Sequence, residues 1–216
     1  MMQHYISLGY FCSIASDLES LGLRSESSPF DWLISDFEGV IAAIRNNFDK
    51  FLDIDYLVQD KQCPSYYFNR KYKCQFYHDF NVDSSLEEQL LLVKDKYDRR
   101  IKRFYSSICE PTLFVRYISN EIQINGYSKE LLWIEENYDE IIKLLKSFNE
   151  KNEILFIAND GVKSSKITIH NVEKPENDIV NRNPIVNTPE LFDKFNSFDF
   201  FKREDNLLWV ELKRKI

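Results

Sequence analysis

Hydrophobic positions along this chain alternate between short runs and helically spaced stripes. Tyr5-Ile6-Ser7-Leu8 is a β-type run that ends at Gly9. From about Cys12 to Leu21, the residues Ile14, Leu18 and Leu21 take helical spacing, and Gly22 suits a left-handed C-terminal cap. Ser35-Asp36-Phe37-Glu38 has the form of a capping box. It would open a helix whose face is Phe37, Val40, Ile41, Ile44, Phe48 and Phe51. The aromatic and polar mixture from Asp55 to Phe80 predicts one or two strands. Ser84 is placed to cap a long helix with Leu86, Leu90, Val93, Tyr97, Ile101 and Phe104 on one face. Thr112 to Ile118 is a continuous strand-type run broken by Arg116. Ser128 opens a further helix with Leu131, Ile134, Tyr138, Ile141, Leu145 and Phe148 at spacings of three and four. Glu153 to Ala158 and Lys166 to Val172 are strand-like. Thr188-Pro189 has the form of an N-cap followed by proline at the first helical position. A last short run surrounds Leu207 to Leu212.

Strands that are apolar on both sides, alternating with helices, require a sheet covered on both faces. The fold class expected is α/β, a layered parallel or mixed sheet flanked by helices. No internal repeat or break in composition divides the chain, so residues 1–216 are expected to form a single α/β domain. Glu173 to Asn187, rich in Asn and Pro, reads as a long loop before a C-terminal helix.

Composition changes this picture little. Hydrophobic residues make up 44% and charged residues 29%, which is globular and argues against disorder. The 35 acidic residues outnumber the 28 basic ones, giving a net charge of −7. Such a surface repels phosphate backbones, so nucleic acid is not an expected partner. The basic run from Lys94 to Arg103 contains Asp95 and Asp98 and reads as the solvated face of a helix. No apolar stretch approaches 18 residues, so membrane insertion is not expected. The first twenty residues lack Lys and Arg, unlike a secretory signal. The compartment expected is the cytoplasm, with Cys12, Cys63, Cys74 and Cys109 kept as thiols.

Among these, Cys12 is chemically placed. A strand ends, Gly9 permits a tight turn, and Cys12 stands where a helix begins. Unsatisfied N–H groups and the positive end of the helix dipole stabilise an anion there, and a thiolate is such an anion. On the helical wheel Cys12 lies far from the stripe of Ile14, Leu18 and Leu21, so its sulfur should reach solvent. The bland alternative is a small buried hydrophobe.

A nucleophilic thiol needs a base, and the base needs an orienting group. Of three histidines, His4 precedes the first strand and His170 sits in a late one. His78 lies among aromatics in Phe76-Tyr77-His78-Asp79-Phe80, at a strand end, and is the favoured base. Asp79 could orient it only if the strand has ended, since neighbours on a strand face opposite ways. Asp160, just past the strand ending at Ala158, lies where ligands bind in open α/β sheets. Asp31 in Pro29-Phe30-Asp31-Trp32 is a third candidate. Arg116 in a buried strand requires either a structural carboxylate partner or an anionic substrate group. Gly9, Tyr10, Arg24, Asp31 and Arg116 are the candidate substrate contacts. Cys63, Cys74 and His78 lack the paired short spacings of a zinc site, and no phosphate-binding glycine loop is present. No metal or cofactor is therefore expected.

The segment SLGYFCSIASDLESLGLR, followed by SSPFDWLIS and later YHDF, resembles the DUF1796 family of papain-like cysteine peptidases. The likeness is closest over Ile6 to Leu52 and near Tyr77 to Phe80. It implies a nucleophile at Cys12, a base at His78, and roles for Asp31 and Asp79. It also implies a papain-like α+β fold, helical in one half and barrel-like in the other, as the alternative to a layered sheet. Three functions follow. One is a thiol hydrolase acting on a peptide or other acyl compound. A second is a thiol acyltransferase of bacterial surface-polysaccharide synthesis, for which coenzyme A would be the cofactor and a glycan the acceptor. The third is a non-catalytic binding module with an inert, buried Cys12.

Overall fold

The computed structural model describes residues 4–159, 161–173 and 183–191. Its elements in chain order begin with β1 (His4–Ser7), α1 (Ser13–Ser20), β2 (Leu33–Ser35) and α2 (Phe37–Arg45). Next come β3 (Leu57–Gln59), β4 (Tyr67–Asn69), β5 (Cys74–Phe76) and α3 (Leu86–Ile108). Then follow β6 (Thr112–Tyr117), the hairpin β7 (Gln123–Ile124) and β8 (Tyr127–Ser128), α4 (Lys129–Phe148), β9 (Glu153–Asn159) and β10 (Ile169–Val172).

Two four-stranded sheets organise the molecule. The first, ordered β1-β6-β9-β10, is parallel throughout, with Tyr5 opposite Leu113, Val115 opposite Leu155 and Ile157 opposite His170. Its side chains alternate between two apolar layers. Leu113, Val115, Tyr117, Leu155 and Ile157 share a core with Ile14 and Leu18 of α1 and Leu21 at its C-cap. Phe114, Ile118, Phe156 and Ala158 face the core that α2, α3 and α4 cover. Both faces are thus under helices, so the α/β layered expectation holds.

The second sheet, ordered β2-β5-β4-β3, is antiparallel. Three strands stand where one or two were expected, and β2 was not anticipated. Each is three residues long, too short to establish a period of two. This sheet joins the same core as the parallel one, through Leu33, Tyr67 and Phe76. Phe30, Phe48, Phe51 and Phe104 pack there with ring centroids 5.1–6.5 Å apart, mostly edge to face.

The helix ends show where local signals decide. Gly22 takes φ +68, Gly22 N donates to Glu19 O at 3.0 Å and Leu23 N to Leu18 O at 2.9 Å, closing α1 as a Schellman turn. The box expected at Ser35 is not made. Ser35 ends β2, Asp36 is the N-cap without a side-chain bond, and Glu38 pairs with Lys73 instead. At α3 the capping box is real but one residue on, with Ser85 and Glu88 reciprocating; Ser84 is not the cap. Phe48 and Phe51 reach the core from turns beyond α2, where Asn47, Phe48 and Lys50 all have positive φ. The strand expected from Lys166 begins at Ile169. Residues 189–191 start a helix as Thr188-Pro189 implied, while the rest of that helix, most of the 173–187 loop and the run at Leu207–Leu212 lie outside the described residues. No helix among the described residues is long and apolar enough to cross a membrane.

Candidate active site

The turn after β1 is held from both sides. Leu8 N donates to Val115 O at 2.8 Å and Tyr117 N to Gly9 O at 3.3 Å, while Ser35 N donates to Tyr10 O at 3.1 Å. Gly9 is required here. Its φ is +78, and a Cβ would lie 2.6 Å from Ser35 Oγ and 3.2 Å from Arg116 Nη1.

This turn delivers Cys12 to the N-cap of α1, half-buried, with its carbonyl accepting from Ser16 N at 3.0 Å. The cysteine side chain makes no cap bond and the first turn holds no acidic residue. No acidic side chain within the first turn itself offsets the positive end of the dipole. Ser13, the next residue, is 2% exposed, and its hydroxyl has no hydrogen-bond partner among the described residues. Cys12 is half-buried as a residue, unlike a packing cysteine. Cys74 supplies that contrast: it is 2% exposed, and burial pushes its thiol far up.

Behind the turn sits Arg116, fully buried. Nε and Nη2 donate to the two carboxylate oxygens of Glu130 at 3.0 and 2.7 Å. Nη1 donates to Leu8 O at 2.8 Å and Ser35 Oγ at 3.1 Å, and Nη2 also to Ser35 O at 2.6 Å. Five acceptors thus meet the five N–H donors of a guanidinium. None remains for a substrate group. Glu130 in turn accepts from Phe37 N and Ser119 N, both at 3.3 Å. Arg116 and Glu130 hold β1, β2, β6, α2 and α4 together directly beneath the Cys12 turn. The sequence pointed to Arg116 but not to Glu130, which reads as an ordinary first-turn acid of a helix.

A second polar cluster lies along the Arg24–Trp32 loop. Arg24 donates from Nε to Asp31 Oδ2 at 2.9 Å and from Nη2 to Ser27 Oγ at 2.8 Å, and pairs with Glu19 of α1. Its guanidinium also stacks 5.5 Å over the Trp32 ring. Asp31 is 1% exposed and accepts Ser28 N at 2.7 Å. Burial pushes its carboxyl up to about 6, with the Arg24 charge and the Ser28 bond opposing.

Trp32 then meets His78 edge-on at 6.5 Å, and Tyr77 meets it edge-on at 5.2 Å. The register of β2 against β5, Leu33 opposite Phe76, brings the PFDW and YHDF segments side by side. His78 is exposed past the end of β5. Asp79 turns away from it into α3, where Lys96 and the Tyr97 hydroxyl occupy both carboxylate oxygens. It anchors the chain at His78. Asp160 lies outside the described residues, between Asn159 at the end of β9 and Gly161.

With that geometry described, comparison with known proteins decides the family. Residues 3–161 match the family described as "putative papain-like cysteine peptidase (DUF1796)". This chain belongs to DUF1796. The match runs from the start of β1 past the end of β9, and so takes in Cys12, His78, Arg116 and Glu130. A protein of Acanthamoeba polyphaga mimivirus, described as uncharacterized, is 33% identical to it over 96% of each chain. That relative is viral, so it lends no support to the bacterial setting imagined for the acyltransferase. No solved structure matches the chain. The DUF1796 segment here builds a parallel sheet under helices with a small antiparallel sheet beside it.

Proposed function

We propose that this DUF1796 protein is a cysteine-dependent hydrolase that cleaves a peptide or related acyl bond through Cys12. The observation that supports it most directly is a half-buried cysteine at the N-cap of α1, with no acid in the first turn. The thiolate adds to the carbonyl carbon, and N–H groups between Gly9 and Ser13 receive the developing oxyanion. Collapse breaks the acyl–nitrogen bond. The leaving amine takes the proton that His78 accepted from the thiol, and a thioester remains on Cys12. Water, deprotonated by His78, then hydrolyses the thioester and restores the thiol. Trp32 and the Asp79 anchor position the imidazole. Transfer of the same acyl group to a hydroxyl acceptor would use the same thioester and would show as acceptor-dependent turnover.

The molecule contains its own controls. Cys63 and Cys109 are exposed and Cys74 is buried. Iodoacetamide labelling with peptide mapping at about pH 6 should show Cys12 reacting far faster than the exposed Cys63 and Cys109. Cys12→Ala should abolish turnover while changing stability by no more than about 0.5 kcal/mol, as expected for a partly exposed side chain. A Cys12 that labels in step with Cys63 would overturn the proposal.

A further inference from the structure

A cavity of about 120 Å³ opens at the carboxyl ends of β1 and β6, where it is lined by Tyr10, two positions before Cys12 in the chain. Its walls are aromatic: Tyr10, Phe37 and Trp133, with Phe37 and Trp133 edge to face at 6.2 Å. Its mouth is acidic. Glu130 is matched by Arg116 and Glu38 by Lys73, leaving Asp36 and Glu121 set against Lys129. Neither Asp36 nor Glu121 has a salt-bridge partner among the described residues, and both are exposed. The buried Tyr10 ring lines the cavity together with Ser119 and the exposed Glu121.

Size narrows the occupant. Small-molecule sites usually run from about 300 Å³ upward. A cavity of about 150 Å³ holds one benzene ring. This one therefore takes a single side chain. Charge and wall chemistry choose which. Aromatic faces attract cations, and the protein already uses these rings that way, with the Arg116 guanidinium 5.9 Å from Tyr10 and 5.1 Å from Phe37. An apolar stem against Trp133 and Phe37, with a cationic head between Asp36 and Glu121, satisfies both features.

We infer that this cavity seats a lysine or arginine side chain of the polypeptide that Cys12 attacks, so that the site selects basic substrates. The inference rests on the Cys12 reading for its chemistry, and the test separates the two. Nα-acetyl-lysine amide, Nα-acetyl-norleucine amide and Nα-acetyl-glutamate amide are titrated into the full chain and followed by NMR shifts, with Cys12→Ala used so that no chemistry intervenes. The lysine derivative should bind best, and the double variant Asp36→Asn/Glu121→Gln should weaken it by about tenfold while leaving norleucine unchanged. Equal affinities, or a lysine preference that survives the double variant, overturn the inference even if Cys12 labels readily. A carboxylate-dependent lysine preference in a protein whose Cys12 is inert would sustain the seat and overturn the thiol chemistry.

Discussion

Asp31 has burial on one side of its balance, and the Arg24 guanidinium with the Ser28 N–H on the other. Its carboxyl is pushed up to about 6 from an ordinary 3.8, so the folded chain holds the proton more tightly than the unfolded chain. Stability from this group is then fully present below about pH 4 and is lost as pH rises through 6. Urea unfolding at pH 4 to 7 should show the wild type losing up to roughly 3 kcal/mol that Asp31→Asn does not lose. Parallel curves for the two proteins across that window would show that Arg24 compensates the charge completely. Cys12 and Asp31 illustrate what can be read at this scale. Both stand in motifs visible in the sequence, yet exposure is what separates their chemistry. The half-buried Cys12 is the group proposed to react, while the sealed Asp31 carboxyl is held by Arg24 and Ser28.

At the scale of elements, the Arg116–Glu130 pair does the most. It spans β1, β2, β6, α2 and α4 with every guanidinium donor used. Arg116→Met alone leaves a buried carboxylate, and Glu130→Leu alone leaves a buried cation. Each should lower the unfolding free energy by about 3–5 kcal/mol. The double variant should recover much of that loss, since apolar side chains of similar volume often replace a buried pair without penalty. Denaturant melts of the four proteins form the cycle, and additive losses would show that the two residues act separately. This pair also explains the failed capping box. Ser35 Oγ accepts from Arg116, and Phe37 N is met by Glu130, so tertiary partners took the bonds that a local cap would have made. Gly39 is an element-scale constraint of another kind. A Cβ there would lie 1.7 Å from Tyr72 O, so α2 rests directly on the backbone between β4 and β5. Gly39→Ala should force these segments apart and lower the melting temperature, despite alanine's better helix propensity.

Across the whole molecule, two sheets share one core, and Cys74 lies within it. Its alkylation in dilute urea should track global unfolding measured by circular dichroism. Labelling that precedes the optical transition would mean that the antiparallel sheet opens independently. The sequence by itself determined the layered α/β class, the four long elements that carry it, the Schellman end of α1 and the position of Cys12 at a helix start. These are local or periodic properties, written over eight or more residues or in a single glycine. Only the tertiary structure decided the rest. Three-residue strands have no period to read, so the antiparallel sheet emerged from pairing. Asp79 spent its hydrogen bonds on α3, and Arg116 found Glu130 fourteen positions away. The Tyr10–Trp133 cavity exists because β1, α2 and α4 converge, which no stretch of chain specifies alone.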